Sequence, residues 1–230
     1  MVDFLGPAEW AAVWLSVKVA LWATLISLPF GIGVALLLAR GRFWGRGLLN
    51  ILVHLPLVMP PVVTGYLLLL GFGRNGLLGQ AFEDLFGLIF AFRWTGAALA
   101  AAIMGFPLMV RAIRLGVEAV DRNLEEAAAT LGASRLRVFT TITLPLILPG
   151  IIVGAVLGFA KAMGEFGATI TFVSNIPGQT RTIPLAIDLL LEVPGGEPLA
   201  LRLAVVSIVI AMGALVVSEL LSRRLRGGGL

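Results

Sequence analysis

The chain has 230 residues, 59% of them hydrophobic and only 13% charged, with a mean hydropathy of +1.01. A soluble domain carries about 25% charged residues, and here the apolar residues come in runs long enough to cross a bilayer as helices, which takes roughly 20 residues; a water-soluble fold is excluded. The net charge of +4 lies in short loops beside apolar runs, which is a topology signal and not a nucleic-acid surface, and the lack of cysteine excludes disulfides, thiolate metal sites and cysteine nucleophiles.

The N-terminal stretch MVDFLGPAEW is acidic and has no basic leader, so it does not read as a cleaved signal peptide. Five apolar spans follow, at about 11–39, 48–70, 95–113, 145–163 and 203–221. Lipid forces backbone polar groups to pair within a segment, so all five are expected to be helical. The expected fold is an all-α polytopic membrane protein forming one domain over 1–230. The 28 glycines predict close helix packing, because small residues let backbones approach. Between 164 and 200, GATITFV is too short to span and IPLAIDLLL reads as a short helix. A re-entrant or surface segment is expected there, not a sixth span.

Orientation follows from the basic residues. Arg40, Arg42 and Arg46 follow the first span. Arg111, Arg114, Arg122, Arg135 and Arg137 surround the link between the third and fourth, and Arg223, Arg224 and Arg226 end the chain. These are eleven of the seventeen basic residues, and the positive-inside rule puts them in the cytoplasm. The opposite side receives Asp3, Glu9, Glu83, Asp84, Asp188, Glu192 and Glu197, with Arg74, Arg93, Arg181 and Arg202. Five spans then place the N-terminus outside and the C-terminus inside. Lys18 is expected to snorkel to the outer interface, and Glu219 to pair with Arg223 four residues on.

The link at about 115–144 is polar and helix-prone. Asp121 is placed to cap a helix, with Glu125 and Glu126 in its first turns, where the dipole favours negative charge. Leu124, Ala127, Ala128 and Leu131 form one apolar stripe. Gly132 can end that helix with a positive φ, and Ser134 can cap a second one through Leu136 and Phe139. Pro145 then opens the fourth span, where a missing N–H costs little. Two short cytoplasmic helices joined by a turn serve either as a docking surface for a soluble partner or as a connector lying on lipid headgroups.

Two further groups sit in or near the spans. His54, Pro56, Pro60, Pro61, Thr64 and Gly65 crowd the second span. Prolines there make either a gate around Pro60, Pro61 and Thr64 or a static kink. His54 is the only histidine and reads as structural, with no neighbouring ligand for a metal. Lys161 and Glu165, four apart, form either an interfacial ion pair or, with Arg181, Thr169, Thr171 and Ser174, donors for an anion.

The spacing Glu126-Ala127-Ala128, Gly132, Ile142 and Leu144-Pro145 resembles the signature of permease subunits of bacterial ABC importers, with every offset intact. The stretches HLPLVMPPVVTGYLLL, MGFPLMVRAIRLGVEAV and GEFGATITFVSNIPGQTRTIP are similar to those of molybdate-transport permeases. GEFGA alone also fits sulfate permeases; the longer run favours molybdate. The resemblance covers most of the chain from Arg40 onward. It implies a multi-pass protein of the bacterial inner membrane and a pathway for molybdate, or tungstate, at a homodimer interface. It implies two cytoplasmic ATP-binding subunits that carry ATP and Mg, and an extracytoplasmic molybdate-binding protein. Membrane lipid is the remaining partner. In that reading Glu126, Ala127, Ala128, Gly132, Ile142, Leu144 and Pro145 couple the chain to the ATP-binding subunit. Some relatives carry an additional N-terminal span, for which the ten residues before the first span leave no room.

No motor is expected in the chain itself. A P-loop needs a lysine after glycine-rich backbone, and neither Lys18 nor Lys161 follows a glycine. No cofactor, metal or catalytic residue is expected. A motor-free secondary transporter would need acids within the spans, which are nearly free of them, and an intramembrane enzyme would need a paired nucleophile and base.

Overall fold

A computed structural model of the chain describes residues 4–227, with side chains as far as Ser222. Asp3 and the side chains of Arg223, Arg224 and Arg226, used above for orientation and for the Glu219 pair, lie outside the described residues. The described residues form helices and connecting turns, without strands. Four stretches are long and apolar enough to cross a membrane: Pro7–Arg40, Trp94–Glu118, Arg135–Met163 and Glu197–Ser222. They contain the first, third, fourth and fifth predicted spans.

The first helix, α1 (Pro7–Arg40), starts with Pro7 in its first turn, where a missing N–H costs nothing. The second predicted span is not one helix. It divides into α2 (Arg46–Val58) and α3 (Pro61–Phe72), bent by 113° at the break. The cause is local. Pro60 holds Met59 in extended backbone at φ −72°, ψ 145°, and Pro61 has no N–H to continue the ladder. The kink expected from the prolines is therefore a full break. A short helix α4 (Leu77–Phe86) ends on Gly87 at φ +65° and leads to α5 (Trp94–Glu118).

The link between α5 and the fourth span holds α6 (Arg122–Thr130) and α7 (Arg135–Val138). The second of these does not stop before the fourth span. It runs through a single wide turn, 139–143, into α8 (Leu144–Met163). The Leu144 N–H reaches back five residues to the Phe139 carbonyl, a π-type bond. Pro145 explains the widening: its ring crowds the carbonyl four residues earlier and it donates nothing to it. Thr140 and Thr141 hydroxyls donate back to Leu136 and Arg137 carbonyls in the same region. Pro145 thus lies inside a continuous helix instead of opening a new one. Beyond α8 come α9 (Gly167–Val173), α10 (Ile183–Glu192) and α11 (Glu197–Gly227). As expected, neither α9 nor α10, with 7 and 10 residues, is long enough to span.

α5 is the most buried of the long helices and packs against α1 and α8. Its contact with α8 is built on glycine. A Cβ on Gly116 would stand 3.2 Å from Gly150 Cα, one on Gly105 3.1 Å from the Gly158 carbonyl, and one on Gly154 2.9 Å from the Met109 carbonyl. Gly150, Gly154 and Gly158, spaced by four, form one smooth ridge, the packing that membranes favour where burial alone gives no drive. Around this contact lie Met109, Val110, Ile113, Val117 and Ile147 at one end, and Ala97, Phe172, Val173, Ile183 and Leu203 at the other.

The ends of the bundle are chemically distinct. Lys18 Nζ stands 3.8 Å from the centre of the Trp94 ring, and Arg202 donates to the Phe4 carbonyl. Arg40, Arg114 and the α6–α7 link gather at the other end. The 22 residue steps from Lys18 to Arg40 measure about 33 Å of helix, matching a hydrocarbon core of about 30 Å. Lys18 with Trp94 marks one interface and Arg40 the other.

Candidate functional site

In the link between α5 and α8, the capping expected from the sequence is present. The Asn123 N–H donates to Asp121 Oδ1 at 2.9 Å, the Arg137 N–H donates to Ser134 Oγ at 3.3 Å, and Gly132 takes φ +86°. α6 buries none of its residues. Leu124 is 50% exposed, Leu131 89% and Leu136 73%. Glu126 and Ala127 are exposed and Ala128 is half-buried. Of the other residues in the spacing signature, Ile142 and Leu144 are half-buried and Pro145 is exposed at the foot of α8.

The residue that ties this link to the bundle is Glu125, which shares none of the motif positions. Its Oε2 accepts from Arg40 Nη1 at 2.6 Å and its Oε1 from Thr143 Oγ1 at 2.6 Å. Arg40 also donates to the Val117 carbonyl at 3.3 Å. One carboxylate therefore joins α6 to the end of α1, and through Arg40 to the end of α5, and to the wide turn that begins α8. Both partners of the ion pair are largely shielded, at 23% and 22% side-chain exposure, so the bond is only partly screened by water. Open cavities of about 400 and 300 Å³ flank it, both bordered by Glu126, Phe139 and Thr143. The spacing signature singles out Glu126 and passes over Glu125; only the fold marks Glu125.

The second candidate group is brought together at membrane depth. α3 and α9 lie side by side, so Pro60, Pro61 and Thr64 meet the segment holding Glu165, Thr169 and Thr171. A Cβ on Gly65 would stand 2.5 Å from the Ala168 carbonyl, and one on Gly167 would stand 2.8 Å from Pro61 Cβ. Lys161 Nζ donates to Glu165 Oε2 at 2.9 Å, and the Ala168 N–H donates to Glu165 Oε1 at 3.0 Å. Glu165 is 3% exposed, with its charge matched by Lys161 and by the start of α9. The Gly105–Gly158 contact sets Lys161 about eight residues inside the Trp94 level, or about 12 Å, so the pair lies deeper than the interface. Thr171 Oγ1 donates to the Gly167 carbonyl. Thr169 and Thr64 are buried, and Thr64 Oγ1 has no hydrogen-bond partner.

Ser174 follows α9 and is exposed, at φ +63°. It opens a tight loop in which Thr180 Oγ1 donates to the Ser174 carbonyl and accepts from the Ile176 N–H. Arg181 Nε donates to Asn175 Oδ1 at 2.8 Å. His54 Nδ1 donates to the Asn50 carbonyl one turn back at 2.8 Å. Among the described residues no group of three or more His, Cys, Asp or Glu could hold a metal ion.

The family described as binding-protein-dependent transport system inner membrane component matches residues 27–227. The chain belongs to that family. It is 63% identical over 219 residues to the molybdenum transport system permease protein ModB of Escherichia coli strain K12, covering 95% of this chain and 96% of that one. It is 55% identical to ModB of Haemophilus influenzae, covering 95% of each. Among solved structures, it matches a bacterial ABC transporter involved in import of the acidic polysaccharide alginate with a TM-score of 0.74. That match covers 96% of this chain and 81% of the other at 19% identity, and it shows a shared fold.

For this membrane component of a transport system, placement in the bacterial inner membrane agrees with its apolar helices. The signature residues 126–145 fall on the exposed link and the foot of α8, and the proline pair falls at the break that faces α9.

Proposed function

We propose that this chain is the transmembrane subunit of an ATP-driven importer of molybdate. The observation that carries this reading is the 63% identity to a molybdenum permease over nearly the whole of both chains. Two copies form the pathway at their shared interface. Two cytoplasmic ATP-binding subunits dock on the α6–α7 links, and an extracytoplasmic molybdate-binding protein delivers the ion. The chain binds no cofactor and breaks no bond; ATP and Mg act on the partner subunit.

The geometry suits that division of labour. Leu124, Leu131 and Leu136 leave the link covered by exposed apolar side chains beside the exposed Glu126 and Ala127, a surface that a groove on a partner can bury. Glu126 sits in the first turns of α6, and Gly132 makes the turn to α7. At membrane depth, the broken α2–α3 helix meets the short helix α9 around Pro60, Pro61, Thr64, Thr169 and Thr171. Discontinuous helices near the midplane recur where transporters admit substrate, so this joint is the proposed gate. Lys161 and Glu165 hold it in shape by neutralising each other.

The test is reconstitution of the chain with its ATP-binding subunit and binding protein in vesicles. Uptake of radiolabelled molybdate that requires ATP and is reduced by unlabelled molybdate or tungstate more than by equal sulfate supports the reading. Preferential competition by sulfate would reassign the substrate to that oxyanion.

A further inference from the structure

The geometry points to Glu125 as the joint through which movement of α6 reaches the membrane helices, an inference that rests on the proposed coupling role of that link. A helix that buries none of its residues fully, and whose main packing is on α7 and the wide turn and not on α1 or α5, has little packing through which to push on the long helices. It can act through its backbone connections and through whatever side-chain bonds it makes. Among the described residues, Glu125 is the α6 residue whose side chain bonds to other elements. The remaining side-chain bonds of α6 are local: Asn123 with the Asp121 cap, and Thr130 with the Ala127 carbonyl.

What Glu125 grips is suited to carrying a load. Arg40 is the last residue of α1 and reaches the α5 carbonyl of Val117. Thr143 closes the wide turn before α8. A wide turn of this kind is a common site of functional adjustment within a helix. Charge-assisted bonds of 2.6 Å are short and directional, so a shift of α6 draws on α1, α5 and α8 together. The flanking cavities give α6 room to move against Phe139 and Leu36. Glu125 is thus a positioning residue. It is separate from the docking face, which Leu124 and Leu131 supply.

The experiment measures two quantities on the reconstituted importer: copurification of the ATP-binding subunit, and the ratio of molybdate taken up to ATP hydrolysed. Glu125→Gln is expected to leave copurification at the parent level and to lower the uptake ratio about tenfold, the scale of losing a charge-assisted bond. Thr143→Val removes a single hydroxyl and is expected to lower the ratio in the same direction if Glu125→Gln proves unstable. The exchanged pair Arg40→Glu with Glu125→Arg is expected to recover part of the ratio, which assigns the effect to the ion pair itself, while copurification at the parent level in Glu125→Gln separates it from a loss of folding. An unchanged ratio in both Glu125→Gln and Thr143→Val overturns the inference. Loss of copurification in Glu125→Gln also overturns it, because Glu125 would then belong to the docking face. The coupling reading itself is tested by Leu131→Asp: if that variant keeps full copurification, the docking surface is elsewhere, whatever Glu125 does.

Discussion

Gly65 on α3 and Ala168 on α9 are packed so closely that a Cβ on Gly65 would stand 2.5 Å from the Ala168 carbonyl oxygen and 2.8 Å from Thr171 Cβ. No side chain fits there without parting the two short helices. Their contact holds the break at Pro60 and Pro61 against the segment that follows α8. The joint is built from small residues on one side and backbone on the other.

Gly65→Val is therefore expected to destabilise the joint by about 1–3 kcal/mol, the scale of overpacking in a close-packed interior. The check is the midpoint of heat-induced aggregation in detergent beside molybdate uptake. Both should fall. Gly33→Val, at a helical position with nothing within 4 Å of a new Cβ, should leave the midpoint nearly unchanged.

Gly132 makes a different demand. Its φ of +86° is costly for a residue with a Cβ, by about 1–2 kcal/mol, although no atom lies within 4 Å to clash. Gly132→Val is expected to lower both copurification of the ATP-binding subunit and uptake. Gly132→Asn, which tolerates that region better, should retain most of both. Equal losses for the two would show that bulk, not backbone conformation, matters at the turn.

At the buried ion pair, the two partners are not equivalent. Lys161→Met leaves the Glu165 carboxylate buried without its cation, which costs about 3–5 kcal/mol. Glu165→Gln keeps an acceptor for the Ala168 N–H and removes the buried charge, so it should cost less. Thermal stability of the two purified variants checks the order; the reverse order would mean that Lys161 does not neutralise Glu165.

Much of this architecture is legible in the sequence. Hydropathy alone locates the helices that contain the first, third, fourth and fifth spans, because lipid leaves an apolar run of that length few alternatives. Asp121, Gly132 and Ser134 announce their turns by residue type. The second span misleads because its apolar run continues through Met59, and hydropathy is blind to the direction of the chain; the adjacent prolines signal a kink but not a 113° break. The foot of α8 misleads in the opposite sense. Pro145 reads as a boundary, yet the wide turn before it absorbs the proline and the helix continues. The 28 glycines announce close packing in general, but that Gly150, Gly154 and Gly158 are the ones that meet α5 is told only by the fold. Glu125 does not stand out, because its value lies in Arg40, 85 residues away.

The central claim is that this chain conducts molybdate only when an ATP-binding subunit drives it through the 126–145 link. The direct measurement is radiolabelled molybdate uptake into vesicles holding the reconstituted importer, with and without ATP on the cytoplasmic face. Uptake is expected to start with ATP, to stop when ATP is withheld under any ion gradient, and to be lost in Leu131→Asp together with the ATP-binding subunit. Uptake by the chain alone, driven by an ion gradient without ATP, would contradict it.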